Sequence, residues 1–464
     1  MGADVLGNPV TTDNEATLRG IDDFVEGFMA YETRAAKILP AADGDASSAL
    51  ANAYAGLLWM MLEAPEAPAR AARYLERAKA AAVSASRRER LNVDVLEAWV
   101  RDDITKALAL CDQIAAAFPR DLAMVKISQY LNFNLGRCAE MLRIGETVFE
   151  VNRDVAYMHG MMAFAYEQCH LLDEAEAAAR EAIRLRRKEP WAQHALAHVM
   201  ITQGRIDEGA AFLESVADTW TDLNSFMITH LWWHLALFYL SQGKVEAVLD
   251  LYDRSVWGVE KDYSQDQVGA VSLLARLELA GVEVGDRWED LAEHIAGRGI
   301  DTTQPFLTMQ YLYGLAKAGR PEADALMAAV RERARTAPPL LVEAWRDVAL
   351  PACEGLLAHA REDYVLAERQ LTEALPRLIL IGGSHAQRDL FEQVRLDAVL
   401  MNGKWSVAQQ LLEQRRANDR NSVPVNLILA EVYKALDLPR EASNAKARAL
   451  ATLTAHHTPG TASA

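Results

Sequence analysis

The chain has 464 residues, 51% of them apolar and 24% charged, the balance of a folded protein too long for one ordinary core. Acidic groups outnumber basic ones 65 to 48, for a net charge of −17, so a phosphate backbone or an anionic lipid surface meets repulsion over most of the exterior. Nucleic acid and membrane are not expected partners, and no apolar run approaches the roughly 20 residues needed to span a bilayer.

Residues 1–15 are polar and aperiodic and read as an N-terminal arm without the basic and apolar regions of a secretory signal. Residues 16–451 carry apolar side chains at helical spacing, and Val, Ile and Thr never gather into alternating runs. The one strand-like tetrad, 378–381, stops at Gly382-Gly383 and reads as a helix end. Residues 452–464 read as a flexible tail. Cys111, Cys138, Cys169 and Cys353 are scattered and form no CxxC pair, which suits a reducing, cytoplasmic setting.

Internal repetition decides the architecture. Gly136, Gly204, Gly243, Gly281, Gly319 and Gly403 each separate two apolar-periodic segments, and from Gly204 to Gly319 the intervals are 39, 38 and 38 residues. That is the period of a helix-turn-helix repeat. In the clearest copy, Ala163, Tyr166, Ala175 and Ala182 supply close helix contacts, and Pro190 opens the next unit, where proline is tolerated. The expected fold is all-α, a single α-solenoid of tetratricopeptide-like helical hairpins wound into a right-handed superhelix.

Within this array, Trp191-Ala-Gln-His194-Ala-Leu-Ala-His198 and His230-Leu-Trp-Trp233-His234 each place two imidazoles one helical turn apart, on one face. First helices of successive hairpins lie side by side on the inner wall, 8–10 Å apart as packed helices are, so His194, His198, His230 and His234 are placed to converge. Three roles compete. The imidazoles can pack against Trp191 and Trp233 and bond backbone carbonyls, line a ligand pocket, or hold a transition metal, with Glu167, Asp262 or Asp266 supplying a carboxylate. No HExxH is present, so a zinc-protease base is not supplied in the usual place.

Gly382-Gly383-Ser384-His385-Ala386-Gln387-Arg388-Asp389 contains a capping box, Ser384 with Gln387, and Arg388 at the helix entrance offers an anion site as the alternative. Asp262 and Gln265 read as a second cap pair, and Arg346–Asp347 as an ion pair.

Arg87-Arg88-Glu89-Arg90-Leu91-Asn92-Val93, the two histidine stretches, Gly281…Gly285-Asp286-Arg287-Trp288, Arg346-Asp347…Pro351 and Gly382–Asp389 occur in that order across roughly residues 55–414. Together they resemble the tetratricopeptide repeat protein 38 family. His385 departs from an asparagine-like position in that pattern. The resemblance implies a superhelical repeat fold and carries no activity with it.

The resulting expectation is a cytoplasmic binding or scaffold protein whose curved inner wall holds a small molecule or a peptide segment around Trp191, His194, His198, His230, Trp233 and His234. The alternative is an enzyme using the same pocket, the histidine pairs acting as metal ligands or general acid–base groups and Arg388 holding an anionic substrate. A homodimer is compatible with the pattern, and whether the solenoid closes into a ring is left open.

Overall fold

The computed structural model describes residues 2–457. Among them are 24 α-helices and a single two-stranded sheet, and the helices pair in sequence as antiparallel hairpins. The chain is an α-solenoid of tetratricopeptide-like units, as the glycine spacing predicts. No helix among the described residues is long and apolar enough to cross a membrane.

The two helices of a hairpin differ in the way their sequences demand. Leu172–Leu185 is strongly amphipathic and buries only Ala175, Ala179 and Ala182, a stripe on one face. Pro190–Thr202 is apolar nearly all round and is covered on every side, with both its histidines inside. First helices therefore need cover on their inner face as well as their outer one. The superhelix supplies it by winding tightly enough for its successive turns to touch.

Glycines make that contact possible. Gly204 adopts a left-handed φ of 67°, and a Cβ there would sit 1.9 Å from the carbonyl oxygen of Asn418, more than two hundred residues away in sequence. Gly382, at φ 77°, lies against the Asn134 backbone in the same manner. Side chains complete the closure. Ser264 Oγ donates to the Leu62 carbonyl at 3.2 Å, and Arg276 Nη2 donates to the Ala386 carbonyl at 2.7 Å. The inner wall is thus roofed by other parts of the chain.

Both termini differ from the sequence expectation. The segment read as an arm is folded back: Gly2–Ala3 pairs antiparallel with Pro9–Val10, and Asp4, Asn8 and Val10 are buried. The reason is Arg88, only 2% exposed, which faces Asp121 at 3.0 Å and Asp4 at 3.6 Å and donates to the Pro9 carbonyl at 3.0 Å. Glu89 accepts from the Thr11 amide at 2.9 Å. The Arg87–Arg90 motif is thus the anchor of the N-terminal hairpin. At the other end, residues 452–457 continue the Pro439–His457 helix, held by Thr452 Oγ1 on the Asn421 carbonyl at 3.0 Å and His456 Nε2 near Asp207 at 3.2 Å. Residues 458–464 of the expected tail lie outside the described residues. The 378–381 tetrad belongs to a short helical turn, Leu375–Ile381, that ends at Gly382.

Replacing Arg88 with alanine leaves Asp4 and Asp121 buried without a cation, at an expected cost of about 3–5 kcal/mol. The Arg88→Ala protein should unfold at lower urea and be cut by protease within residues 2–12; an unchanged midpoint and an uncut N-terminus would show that this ion pair is not the anchor.

Candidate functional site

Two neighbouring first helices carry the histidines. Pro190–Thr202 begins with Pro190 at its entrance and Glu189 accepting from the Ala192 amide; Ser225–Ser241 begins with Asn224 accepting from the Met227 amide at 2.9 Å. These caps set the phase of each helix, and the four-residue spacing does the rest. His194, His198, His230 and His234 converge, one ring nitrogen from each lying within 4.8 Å of all the others. His194 Nε2 is 2.9 Å from His198 Nε2 and 3.1 Å from His230 Nε2. An ion with bonds of about 2.0–2.1 Å sets its ligands roughly 2.9–3.4 Å apart, so these separations fit one shared metal.

Aromatic rings hold the imidazoles in place. Trp191 stacks on His194 at 4.5 Å and 24°, while Trp233 and Phe226 lie nearly parallel to His230, each at 5.2 Å. His198 and His234 are fully buried. Burial pushes all four imidazoles below the ordinary histidine range, His230 to about 3, and in His198 the neighbouring Glu167 opposes that drop without cancelling it. They are therefore neutral, the form that ligates metals.

Polar accounting separates the competing roles. A neutral imidazole has one N–H to place and one lone pair to fill. Neither nitrogen of His234 has a protein partner, and Nδ1 of His194 and of His198 also lacks a hydrogen bond. Leaving a buried polar group unsatisfied costs about 1–3 kcal/mol, and packing alone recovers none of it.

Glu167 enters from the end of the Ala156–Gln168 helix and is wholly buried. Its Oε1 is 3.5 Å from His198 Nδ1 and 2.8 Å from His385 Nε2. Burial alone would raise its pKa, but the imidazoles of His198 and His385 outweigh burial and hold it below the usual carboxylate range. His385 is the member that sequence reasoning missed. It opens the His385–Met401 helix and arrives only because the superhelix brings Gly382-Gly383 against Asn134 and Phe306.

The other predicted carboxylates are placed elsewhere. Asp262 does not join the imidazoles: its side chain is 83% exposed and faces His294 Nδ1 at 2.9 Å, although the residue borders a cavity of about 620 Å³. It forms no cap with Gln265 either, because the Ser264–Leu279 helix starts one residue later, with Tyr263 at its N-cap, and Gln265 donates to Glu63. Asp266 is buried and accepts from Thr229 Oγ1 at 3.2 Å, bracing the helix that carries His230 rather than touching an imidazole; burial pushes its pKa up to about 7. Gln387 closes the capping box with Ser384. Arg388 donates to the carbonyls of Gly382 and Gly383, so its guanidinium serves the backbone of its own turn. Arg346 and Asp347 pair at 2.7 Å.

Two cavities flank the cluster. One, of about 620 Å³, is walled by Tyr31, Phe133, Trp191 and Phe226 and reaches His194, His230 and Gln387. The other, of about 860 Å³, reaches His385, Thr202, Arg276 and the Asp389–Arg415 ion pair. His198, His234 and Glu167 line neither and form a septum between them.

Fold and site together define a tetratricopeptide-like helical-repeat protein with inner cavities and a buried histidine cluster. No protein-family model matches the chain. Among solved structures it is similar to the human IFIT1 dimer with m7Gppp-AAAA, at 12% identity over 96% of each chain and a TM-score of 0.43. It is similar also to the human IFIT1 dimer with PPP-AAAA, at 13% identity over 95% of each chain and a TM-score of 0.42. A weaker likeness is to Naa15/Naa10 bound to HypK-THB, at 14% identity over 79% of this chain and 64% of that one, with a TM-score of 0.25. At these values the ligands and assemblies of those proteins assign nothing to this chain.

The depressed imidazoles make stability pH-dependent with a definite sign. Between the ordinary value of 6.5 and about 3 for His230, the unfolded chain binds protons that the folded chain refuses. The contribution is complete above pH 6.5 and is lost as the pH falls through that window. In metal-free protein the urea midpoint should drop between pH 7 and pH 4, and more steeply for the native chain than for His230→Leu. Equal slopes would show that His230 is not held neutral.

Proposed function

We propose that this chain is a helical-repeat protein that holds one transition-metal ion on His194, His198, His230 and His234 and presents it to a small molecule bound in the cavity of about 620 Å³. The observation that carries the reading is the convergence of four buried, neutral imidazoles, with His234 left bare on both nitrogens unless something binds it. Imidazole suits zinc, copper, iron or nickel. Glu167 beside His198 Nδ1 supplies the carboxylate that commonly orients a ligating histidine.

Several features support a small molecule over an extended peptide. The inner wall is bridged at several points by contacts between turns of the superhelix, which divide it into separate cavities. The cavity has the size of an ordinary small-ligand site, and aromatic faces with a few polar groups make up its walls. An ion at the cluster borders this cavity through His194 and His230. If the ion prefers five or six ligands, as iron and nickel do, the remaining positions face the bound molecule; a tetrahedral zinc site would be closed by the four imidazoles. Membership of the tetratricopeptide repeat protein 38 family is part of this reading and rests on the ordered motifs from Arg87 to Asp389. A reducing, cytoplasmic setting is supported by the four free cysteines.

Elemental analysis of protein purified without an affinity tag tests the reading. The native chain should retain at least one transition-metal ion, His234→Ala should retain one fewer with its helical circular dichroism unchanged, and chelation should lower the melting temperature of the native chain only. Equal metal content in the two proteins, or none in either, would overturn it.

A further inference from the structure

The septum holds a second set of ligand atoms. Glu167 Oε1 is 2.8 Å from His385 Nε2 and 3.5 Å from His198 Nδ1, and the three atoms lie within 4.8 Å of one another. These separations match those of atoms sharing one ion, roughly 2.9–3.4 Å for bonds of about 2.0–2.1 Å. Glu167 Oε1 is wholly buried, and two imidazole nitrogens from different parts of the chain face it. Thr202 Oγ1 also stands 2.9 Å from His385 Nε2, adding an oxygen at the rim. His385 and Thr202 open onto the cavity of about 860 Å³, on the opposite side of the septum from Trp191 and His194.

We propose that Glu167, His198 and His385 form a second transition-metal site, joined to the first through the two ring nitrogens of His198. The shared ligand rests on the reading of the four-histidine site given above; the Glu167–His385 half does not. His198 Nε2 lies beside His194 Nε2 at 2.9 Å and its Nδ1 faces Glu167, so the one ring points a nitrogen into each cluster. Bonds of about 2.0 Å on either side of the ring put the two ions roughly 6 Å apart. When the second divalent ion binds, the Nδ1–H bond of His198 breaks, a metal–Nδ1 bond forms, and the proton leaves to buffer through the larger cavity. The bridging imidazolate and the Glu167 carboxylate then supply two negative charges toward the four positive charges of the pair. With three protein ligands the second ion keeps a position open toward the larger cavity, whereas the first borders the aromatic one. Each cavity thereby has its own ion, and the ions communicate through a single side chain.

Copper(II) chloride titrated into metal-free protein, with bound copper counted after gel filtration and unpaired spins integrated by electron paramagnetic resonance, tests this. The native chain should take up two ions per chain with an integrated spin well below two, because an imidazolate bridge couples the two centres. His385→Ala should take up one ion with its full spin; Glu167→Gln, which keeps the side-chain shape, gives the same result if His385→Ala folds poorly. One ion in the native chain, lost in His234→Ala and kept in His385→Ala, would overturn the second site and leave the first standing. One ion lost in His385→Ala and kept in His234→Ala would overturn the four-histidine site and the bridge. Two ions with full spin would overturn the bridge, and no uptake would overturn both sites.

Discussion

The structure depends on the contact between successive turns of the superhelix. A solenoid built from hairpins ordinarily leaves its inner helices facing a groove. Here the inner helices are too apolar for that: Pro190–Thr202 and Ser225–Ser241 bury residues around their whole circumference. The chain meets the demand by bringing Asn418 onto Gly204, Asn134 onto Gly382 and Leu62 onto Ser264. Two of these contacts are backbone against backbone, which only glycine permits at such distances. Closure converts an open wall into separate cavities and removes water from whatever lies between them.

Dry surroundings determine what the histidines are. In water four imidazoles at this spacing would each titrate near neutrality; here burial keeps them uncharged, and the flanking rings of Trp191, Phe226 and Trp233 leave them little freedom to turn aside. Sidestepping the cost of bare nitrogens on His234 would require an acceptor that the surrounding helices do not provide. Glu167 fits the same logic, since a carboxylate this deeply buried is stable only beside groups that favour its charge.

How far the sequence exposes this arrangement follows from the range of the interactions. The histidine pairs are legible because i and i+4 share a helix face and the glycine spacing makes the two helices neighbours. Glu167 is legible for the same reason, one hairpin earlier. His385 is not, because it meets Thr202 across 183 residues and only the superhelical closure brings them together. Asp262 misleads through a local signal: its spacing to Gln265 imitates a cap, yet Tyr263 occupies the N-cap and Gln265 is drawn away by Glu63. The N-terminal segment misleads in the opposite direction. Asp4 and Asn8 look like solvent-facing residues until Arg88, 84 positions later than Asp4, supplies the charge that buries them.

The central claim, that four imidazoles from adjacent helices share one metal, is tested most directly by X-ray absorption at the edge of the metal carried by the purified chain. The account predicts a first shell of nitrogen at about 2.0–2.1 Å with the outer scattering characteristic of several imidazole rings. A first shell of sulfur, or of oxygen without imidazole scattering, would contradict it.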